Sequence, residues 1–264
     1  MSAADRQASP DRAASLAAVC RDAGFVRVVA SPDGDALAAL GLLAGALRDT
    51  GTPFQAAVSA FPGEAGTEAD ATVALGTAAG DASIADGPLA PVAYAAAREL
   101  GGDPDPALAL AGAIAAGERA DGDEVDLGGA ADGFDRAPGV AIPTVEPDTD
   151  GDGATAGDGE ALADGLAHAT LVHAPALSGD PSAARESLAT LSDEAGRTVA
   201  SLLACAAVDG APPRAAVAVE RAVRPHVGGP FGTLGGYADV LDAVARERPG
   251  TAVALALGSA EPAA

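Results

Sequence analysis

Short apolar segments alternate with helical segments along the first half of the chain, and this alternation constrains the fold more than any other feature. FVRVVA at 25–30, FQAAVSA at 54–60 and ATVALG at 71–76 are typical of strands, and the Ala/Leu-rich segment after Asp35 has the period of a buried helix. Strands connected through helices pair in parallel, and the helices pack on the faces of the sheet. The sequence therefore predicts an α/β protein with a parallel sheet and helices on both faces.

Later segments extend the pattern into two predicted domains. After residue 209 a second alternation gives AAVAVERAV as a strand, GYADVLDAVARERPG as a helix and TAVALALG as a last strand. We assign 11–207 to a first α/β domain and 209–264 to a smaller one. The remaining predictions are a loose tail over 1–10, a helix from Asp11, a helix with its N-cap at Asp35, and helices over 89–100 and 106–117. Helices are also predicted through 181–207, with a break near Ser192 or Gly196, after an exposed acidic loop over 146–160.

The charge of the chain indicates adaptation to high internal salt. Its formal net charge is −23, with 26 Asp, 12 Glu, 15 Arg and no Lys, and its 48% hydrophobic content argues against a disordered chain. Much of that content is Ala, which yields little free energy on burial, so we expect a lean core and salt-dependent stability. Because molar salt screens charge to within about 3 Å, the acidic surface does not exclude a nucleic-acid partner.

No segment of the sequence predicts export or a membrane partner. The N-terminal MSAADRQASPDR lacks an apolar signal region, and no run approaches the roughly 20 apolar residues of a membrane helix. Cys20 and Cys205 both lie in Ala/Leu-rich helical patterns and are interpreted as buried thiols. We therefore expect a cytoplasmic protein.

The segment SPDGDAL at 31–37 is the strongest candidate for chemistry. Asp33 and Asp35 follow the first predicted strand and precede a helix, and ligands bind at that edge of an open α/β sheet. Two carboxylates at this spacing can hold a hard cation such as Mg²⁺ or Mn²⁺. The same residues are also typical of an ordinary turn followed by an Asp N-cap. The spacing alone favours this turn over a cation site.

The same segment, with others in order after it, resembles the DHH phosphoesterases. VVASPDGDAL resembles motif I of that superfamily, which includes RecJ-type single-strand exonucleases, oligoribonucleases and nucleotide phosphatases. ATVALG resembles its motif II strand, SIADGPLAPVAYAAARELG the segment that carries the D-H-H triplet, and HVGGPFGTLGG the substrate loop of the appended DHHA1 domain. The resemblance spans about 25–120 and 209–258. It implies a DHH-like domain, a smaller DHHA1-like domain and a dinuclear metal site in a cleft between them.

Several ligand positions of the family have lost their side chains in this sequence. The resemblance places metal ligands at Asp33, Asp35 and Asp86 and leaves a residual catalytic role to Asp33 and Asp35. A dinuclear site needs further His and carboxylate ligands to hold two cations about 4 Å apart and generate hydroxide. We therefore expect Mn²⁺ or Mg²⁺ to bind weakly or not at all, with little or no hydrolysis. The family's other ligand positions fall on Val29, Gly76, Gly87, Pro88, Ala116 and Pro230.

A basic stretch before the second glycine-rich turn is the candidate substrate site. Arg221, Arg224 and His226 precede Gly228 and Gly229 in a chain that has few positive charges. Guanidinium groups and glycine N–H groups suit a phosphate or a nucleic-acid backbone. Ion pairing of these side chains with the surplus carboxylates is the alternative.

The segment 148–153 also resembles the beginning of an EF-hand calcium loop, with Asp at 148, 150 and 152. The twelfth position of that loop requires Glu, but this chain has Gly159 there. We interpret the segment as a solvated acidic loop.

Three functional hypotheses follow. The first is a RecJ-like protein of replication or repair that has lost most catalytic power and binds single-stranded DNA or RNA, or a replication protein. The second is an active Mn²⁺-dependent single-strand exonuclease or small phosphoesterase that uses Asp33 and Asp35. The third is a small-molecule phosphate-binding protein that uses Gly228 and Gly229.

Overall fold

The described part of the chain forms two compact units. A computed structural model describes residues 3–60, 68–118, 127, 133–134, 157–168, 173–190, 196–208, 219 and 225–258. Met1–Phe134 and Gly228–Ala264 form the first unit, here called the sheet unit. Asp135–Val227 form the second, called the helical unit.

A parallel sheet organises the sheet unit. Its strands are β1 (Val26–Ala30), β2 (Phe54–Val58), β3 (Ala71–Leu75) and β4 (Ala82–Ile84), in the order β2-β1-β3-β4. All three pairings are parallel, and β1 is buried at every residue, as expected for a central parallel strand. The predicted α/β class is therefore confirmed.

Nine helices lie in the described residues. Those of the sheet unit are α1 (Ala3–Asp22), α2 (Gly34–Asp49), α3 (Leu89–Leu100), α4 (Pro106–Ala115), α8 (Leu234–Glu247) and α9 (Pro249–Ala256); those of the helical unit are α5 (Gly157–His168), α6 (Pro181–Ala189) and α7 (Gly196–Val208). The predicted helices at 89–100 and 106–117 are confirmed. The first helix begins at Ala3 and not at Asp11, so the predicted loose tail over 1–10 was wrong for its described residues. Of the predicted acidic loop over 146–160, residues 146–156 lie outside the described residues, and 157–160 form the beginning of α5, so the loop prediction was wrong there.

Helix α2 is the centre of the sheet unit because small residues let its neighbours approach closely. A Cβ added to Gly112 of α4 would lie 2.6 Å from Cβ of Ala38 and 2.5 Å from Cβ of Ala90. A Cβ on Gly41 of α2 would lie 2.6 Å from the carbonyl oxygen of Ala256 in α9. The lean, Ala-rich core is thus compensated by close contacts between helix backbones.

The helical unit has a separate apolar core. Leu166 of α5, Leu188 of α6 and Leu203 of α7 are buried together with Leu177, which precedes α6. Cys205 of α7 is exposed, whereas Cys20 of α1 is buried, so only one of the two thiols is placed as predicted. None of the helices in the described residues is both long and apolar enough to cross a membrane.

The end of the chain differs from the prediction. TAVALALG was predicted as a strand, but Pro249–Ala256 form helix α9, with Pro249 at a position that favours helix starts. Ala252 and Ala256, four residues apart, are its buried residues, which is a helical period that the continuous apolar run conceals. Helices α8 and α9 also belong to the sheet unit, whereas the sequence assigned 209–264 to a domain of its own. The predicted strand at 215–223 lies almost wholly outside the described residues.

Gly112→Ala is expected to lower the free energy of unfolding by roughly 1–3 kcal/mol, although Ala favours a helix over Gly by about 1 kcal/mol. The reason is that the new methyl group would overlap Ala90 and Ala38. Gly45→Ala is the matched control, because a Cβ on this glycine of α2 meets no atom within 4 Å. Urea unfolding in molar KCl measures the free energy of unfolding of both variants. If Gly45→Ala lowered the free energy of unfolding as much as Gly112→Ala does, the packing argument would be contradicted.

Candidate functional site

The turn after β1 lies at the topological switch point of the sheet. The chain leaves β1 through α2 toward β2 on one side, while β3 pairs with β1 on the other. Ligands of open α/β proteins bind outside the carboxyl ends of the strands at such a point. Ser31 follows β1 and Gly76 follows β3, and the Ser31 N–H donates to the carbonyl of Leu75 at 2.9 Å. The SPDGDAL segment is therefore where the sequence analysis expects a site.

Asp33 is the N-cap of α2. Its Oδ1 accepts a hydrogen bond from the Ala36 N–H at 2.9 Å, and its Oδ2 accepts one from the Ser31 hydroxyl at 2.5 Å. The backbone of Asp33 is extended, as N-cap geometry requires. The prediction that Asp35 is the cap was wrong, because helix α2 already begins at Gly34.

The Ser31 hydroxyl occupies the space that a side chain at position 76 would need. A Cβ built on Gly76 would lie only 1.9 Å from the Ser31 Oγ. Gly76 also has φ of +81°, a left-handed conformation that favours glycine. Position 76 is where the family resemblance puts a metal-binding Asp, and here a hydroxyl bound to Asp33 lies at that place.

Asp35 is buried beneath the beginning of α3. Only 5% of the residue is exposed, and its two oxygens accept hydrogen bonds from the N–H groups of Leu89 at 2.7 Å and Ala90 at 2.8 Å. Pro88, the N-cap residue of α3, supplies no side-chain cap. Asp35 therefore caps α3 from another helix, and the negative charge at a helix N-terminus is favourable.

Burial nevertheless makes the charge of Asp35 costly. Desolvation raises the pKa of Asp35 to about 7, the two backbone hydrogen bonds lower it in part, and the charges of Asp33 and Glu118 raise it further. Glu118 follows α4, and the sequence analysis did not connect it with this turn. Glu118 thus acts on Asp35 electrostatically, although no spacing in the sequence connects the two residues.

Asp242 of α8 joins the same turn. Its Oδ1 accepts from the Gly34 N–H at 3.0 Å, and its Oδ2 lies 2.7 Å from Nη2 of Arg246. A Cβ on Gly34 would lie 3.0 Å from the Asp242 backbone nitrogen, so the two segments are in close contact. The sequence analysis missed Asp242, since an Asp inside an amphipathic helix carries no motif.

Other predicted residues are placed differently. Asp86 is exposed, three residues before Leu89, and its carbonyl accepts a hydrogen bond from Arg12 at 3.1 Å. His226 belongs to the helical unit, whereas Gly228 and Gly229 belong to the sheet unit and both have positive φ. Arg221, Arg224 and the segment 148–153 lie outside the described residues.

The carboxylates of this turn are engaged with the protein itself. The four oxygens of Asp33 and Asp35 accept hydrogen bonds from three backbone N–H groups and one hydroxyl. Such bonds fix the beginnings of α2 and α3 against the end of β1. In the part of the chain that the structure describes, no group of three or more His, Cys, Asp or Glu side chains could hold a metal ion.

These features define the class of the molecule: an α/β protein with a carboxylate-linked turn at the switch point of a parallel sheet. No family model matches the chain. It is 50% identical over 268 residues to the uncharacterized protein rrnAC1427 of Haloarcula marismortui, and the match covers 98% of this chain and 68% of that protein. The chain therefore belongs to the same family as that protein.

Asp35 is expected to make stability fall as the pH rises from about 4 to about 7. The pKa of Asp35 is about 7 in the folded protein and about 3.9 in an unfolded chain. Over that range the folded state keeps a proton that the unfolded chain has released, so the contribution is fully present below pH 4 and is lost as the pH passes 7. The free energy of unfolding, measured with urea, should fall by roughly 2.5 kcal/mol between pH 5 and pH 8 because of this group.

Asp35→Asn should lose this part of the pH dependence, whatever its own stability. Asp22→Asn is the control, because Asp22 is an exposed residue at the end of α1. It should keep the pH profile of the native chain. A profile of Asp35→Asn that is parallel to the native one would contradict the assignment.

Proposed function

We propose that this chain is a DHH-type, RecJ-like protein that has lost most of its catalytic power and binds single-stranded nucleic acid. The observation that carries the loss of catalysis is the placement of the Ser31 hydroxyl, which binds Asp33 and fills the space of a side chain at position 76. Mn²⁺ or Mg²⁺ would have to compete with this hydroxyl for Asp33. It would also have to compete with the α3 backbone for Asp35.

The position of the turn supports the DHH-like part of the proposal. A resemblance to motif I implies a central strand followed by the Asp-bearing turn at the carboxyl edge of a parallel sheet. Asp33 lies at that place as the N-cap of α2, Asp35 follows in the first turn of α2, and β3 is the neighbouring strand, after which Gly76 follows. The order of the segments in the chain is also the order of the family motifs.

The binding part of the proposal rests on the basic stretch and the glycine turn. Arg221, Arg224 and His226 concentrate positive charge in a chain of net charge −23. Gly228 has φ of +127° and Gly229 has φ of +78°, backbone conformations that favour glycine. The Gly228 N–H already donates to the carbonyl of Gly232 at 3.1 Å, so the basic side chains carry most of this part of the proposal. In molar salt long-range attraction is screened, so contact hydrogen bonds and base stacking would provide the affinity.

Fluorescence anisotropy with a labelled single-stranded oligonucleotide in molar KCl tests binding. Arg221→Ala and Arg224→Ala are expected to weaken binding by roughly tenfold each, because each removes a guanidinium that can contact a phosphate. Arg98→Ala is the matched control, since Arg98 is exposed in the last turn of α3 and lies outside this stretch. Equal binding by all variants would indicate a protein partner instead.

Incubation of the same oligonucleotide with Mn²⁺ tests catalysis. We expect no cleavage above that of Asp33→Ala. Manganese-dependent cleavage that disappears in Asp33→Ala would instead establish the active single-strand exonuclease, and the proposed loss of the metal site would be wrong.

A further inference from the structure

A second cleft lies in the sheet unit, at the other end of α2 from Asp35. It has a volume of about 190 Å³ and lies between the last turns of α2, the 103–105 segment, α8 and the end of α9. Gly45, which lines it, is ten residues beyond Asp35 on α2, or about 15 Å along the helix axis. The cleft is therefore separate from the turn at the carboxyl edge of the sheet.

The C-terminal ends of α2 and α9 contribute a negative potential to this cleft, whereas the N-terminus of α4, which Asp105 caps, contributes a positive one. Helix α2 ends at Asp49 and helix α9 ends at Ala256, and the cleft is lined by both ends. The carbonyl groups at a helix C-terminus carry a partial negative charge that favours cations. Arg48 shows how this end of α9 receives a cation, because its Nη1 donates to the carbonyl of Leu257 at 3.2 Å.

Carboxylate side chains add negative charge around the opening of the cleft. Asp49, Asp103 and Asp105 all line the cleft and are exposed. The Oδ1 of Asp105 accepts a hydrogen bond from the Ala107 N–H at 2.8 Å as the N-cap of α4. The side chains of Asp49 and Asp103 have no hydrogen bond or ion pair with any described residue. The lining therefore carries three negative side chains against the one positive side chain of Arg48.

Tyr237 supplies a polar group inside the cleft. Only 4% of this residue is exposed, and its hydroxyl forms no hydrogen bond with any residue in the described ranges. Burial, followed by the charge of Asp105, raises the pKa of Tyr237 to about 12, so the phenol stays neutral and keeps its acceptor lone pairs. The side chain is buried while its hydroxyl is unpaired within the described residues, so a ligand in the cleft can provide the partner.

Glycine leaves the space open beside an apolar wall. A Cβ on Gly45 meets no atom within 4 Å, so a larger side chain there would extend into free space. Leu42, Leu108 and Leu255 also line the cleft. The site thus combines acceptor groups with an aliphatic surface.

We infer that this cleft binds a small primary ammonium compound with a short aliphatic chain. An ammonium group has three N–H donors, which match the carboxylates of Asp49 and Asp103 and the hydroxyl of Tyr237. The aliphatic part packs against the leucine side chains. Because molar salt limits electrostatic attraction to about 3 Å, such direct contacts distinguish this ligand from bulk K⁺.

Ligand-detected saturation-transfer NMR in 2 M KCl tests the inference, with butylammonium chloride as the probe. Butanol and potassium butyrate are the matched neutral and anionic compounds. Saturable binding of butylammonium alone is the expected result. An equal response to all three compounds, or no saturable response to butylammonium, would overturn the inference.

Two variants locate the site. Gly45→Leu, which fills the cleft, and Asp103→Asn, which removes an exposed carboxylate, should each weaken butylammonium binding by roughly tenfold or more. Gly250→Leu and Asp22→Asn are the matched controls, because a Cβ on Gly250 also meets no atom within 4 Å and neither residue lines the cleft. Far-UV circular dichroism checks the fold of Gly45→Leu, and Asp103→Asn provides the test if that variant is unfolded. Undiminished binding by folded Gly45→Leu, or by Asp103→Asn, would place the compound elsewhere and refute the proposed site.

Discussion

The carboxylate of Asp35, buried between the beginnings of α2 and α3, is the constraint on which the rest of the sheet unit depends. It supplies the cap that Pro88 cannot supply, and without it two buried N–H groups of α3 would lose their partners at a cost of about 1–3 kcal/mol each. Helix α3 in turn packs against α1, α2 and α4, so its position sets the arrangement of the whole helical layer. A group that resembles a metal ligand in the sequence thus acts as a structural link between helices.

Close backbone contacts make the remainder of this unit possible. Gly34 lets α8 approach the turn, Gly41 lets α9 approach α2, and Gly112 lets α4 approach α2 and α3. An Ala-rich core gains little transfer free energy per side chain, so it relies on many short contacts between helix backbones. The lack of a side chain at Gly45 leaves open space in the cleft. At Gly41, in contrast, Ala256 lies where a side chain would be.

The sequence predicted those parts of the fold that have a local signal. β1, β2 and β3 are apolar runs with flanking turns, and α3 and α4 have clear amphipathic or capped segments, so their positions could be predicted. β4 has only three residues and no run to mark it, and α9 is an apolar octapeptide whose period is hidden by uniform hydrophobicity. For such segments tertiary contacts decide between strand and helix.

The candidate site was predictable in place but not in detail. The Asp-bearing turn after the first predicted strand indicated the carboxyl edge of β1, and both carboxylates lie there in the structure. The partner of Gly34 could not be predicted, because Asp242 is 208 residues away along the chain. Such long-range packing determines whether an oxygen of Asp33 or Asp35 bonds to a hydroxyl, to a helix N-terminus or to solvent. The resemblance to a phosphoesterase family therefore specifies where to look, while the contacts of Ser31 and Leu89 specify what the carboxylates do.

The sheet unit is discontinuous in the chain, since residues 135–227 are inserted between its two parts. Helices α8 and α9 complete the packing around α2, so this unit cannot be completed before both of its parts have been synthesised. Ordering the two parts together requires closing a long intervening segment, which slows folding more than it lowers final stability. During synthesis the α2 surface that later contacts α9 stays uncovered. The hydrogen bond between Gly34 and Asp242, which joins the two parts, can form only after both have been synthesised.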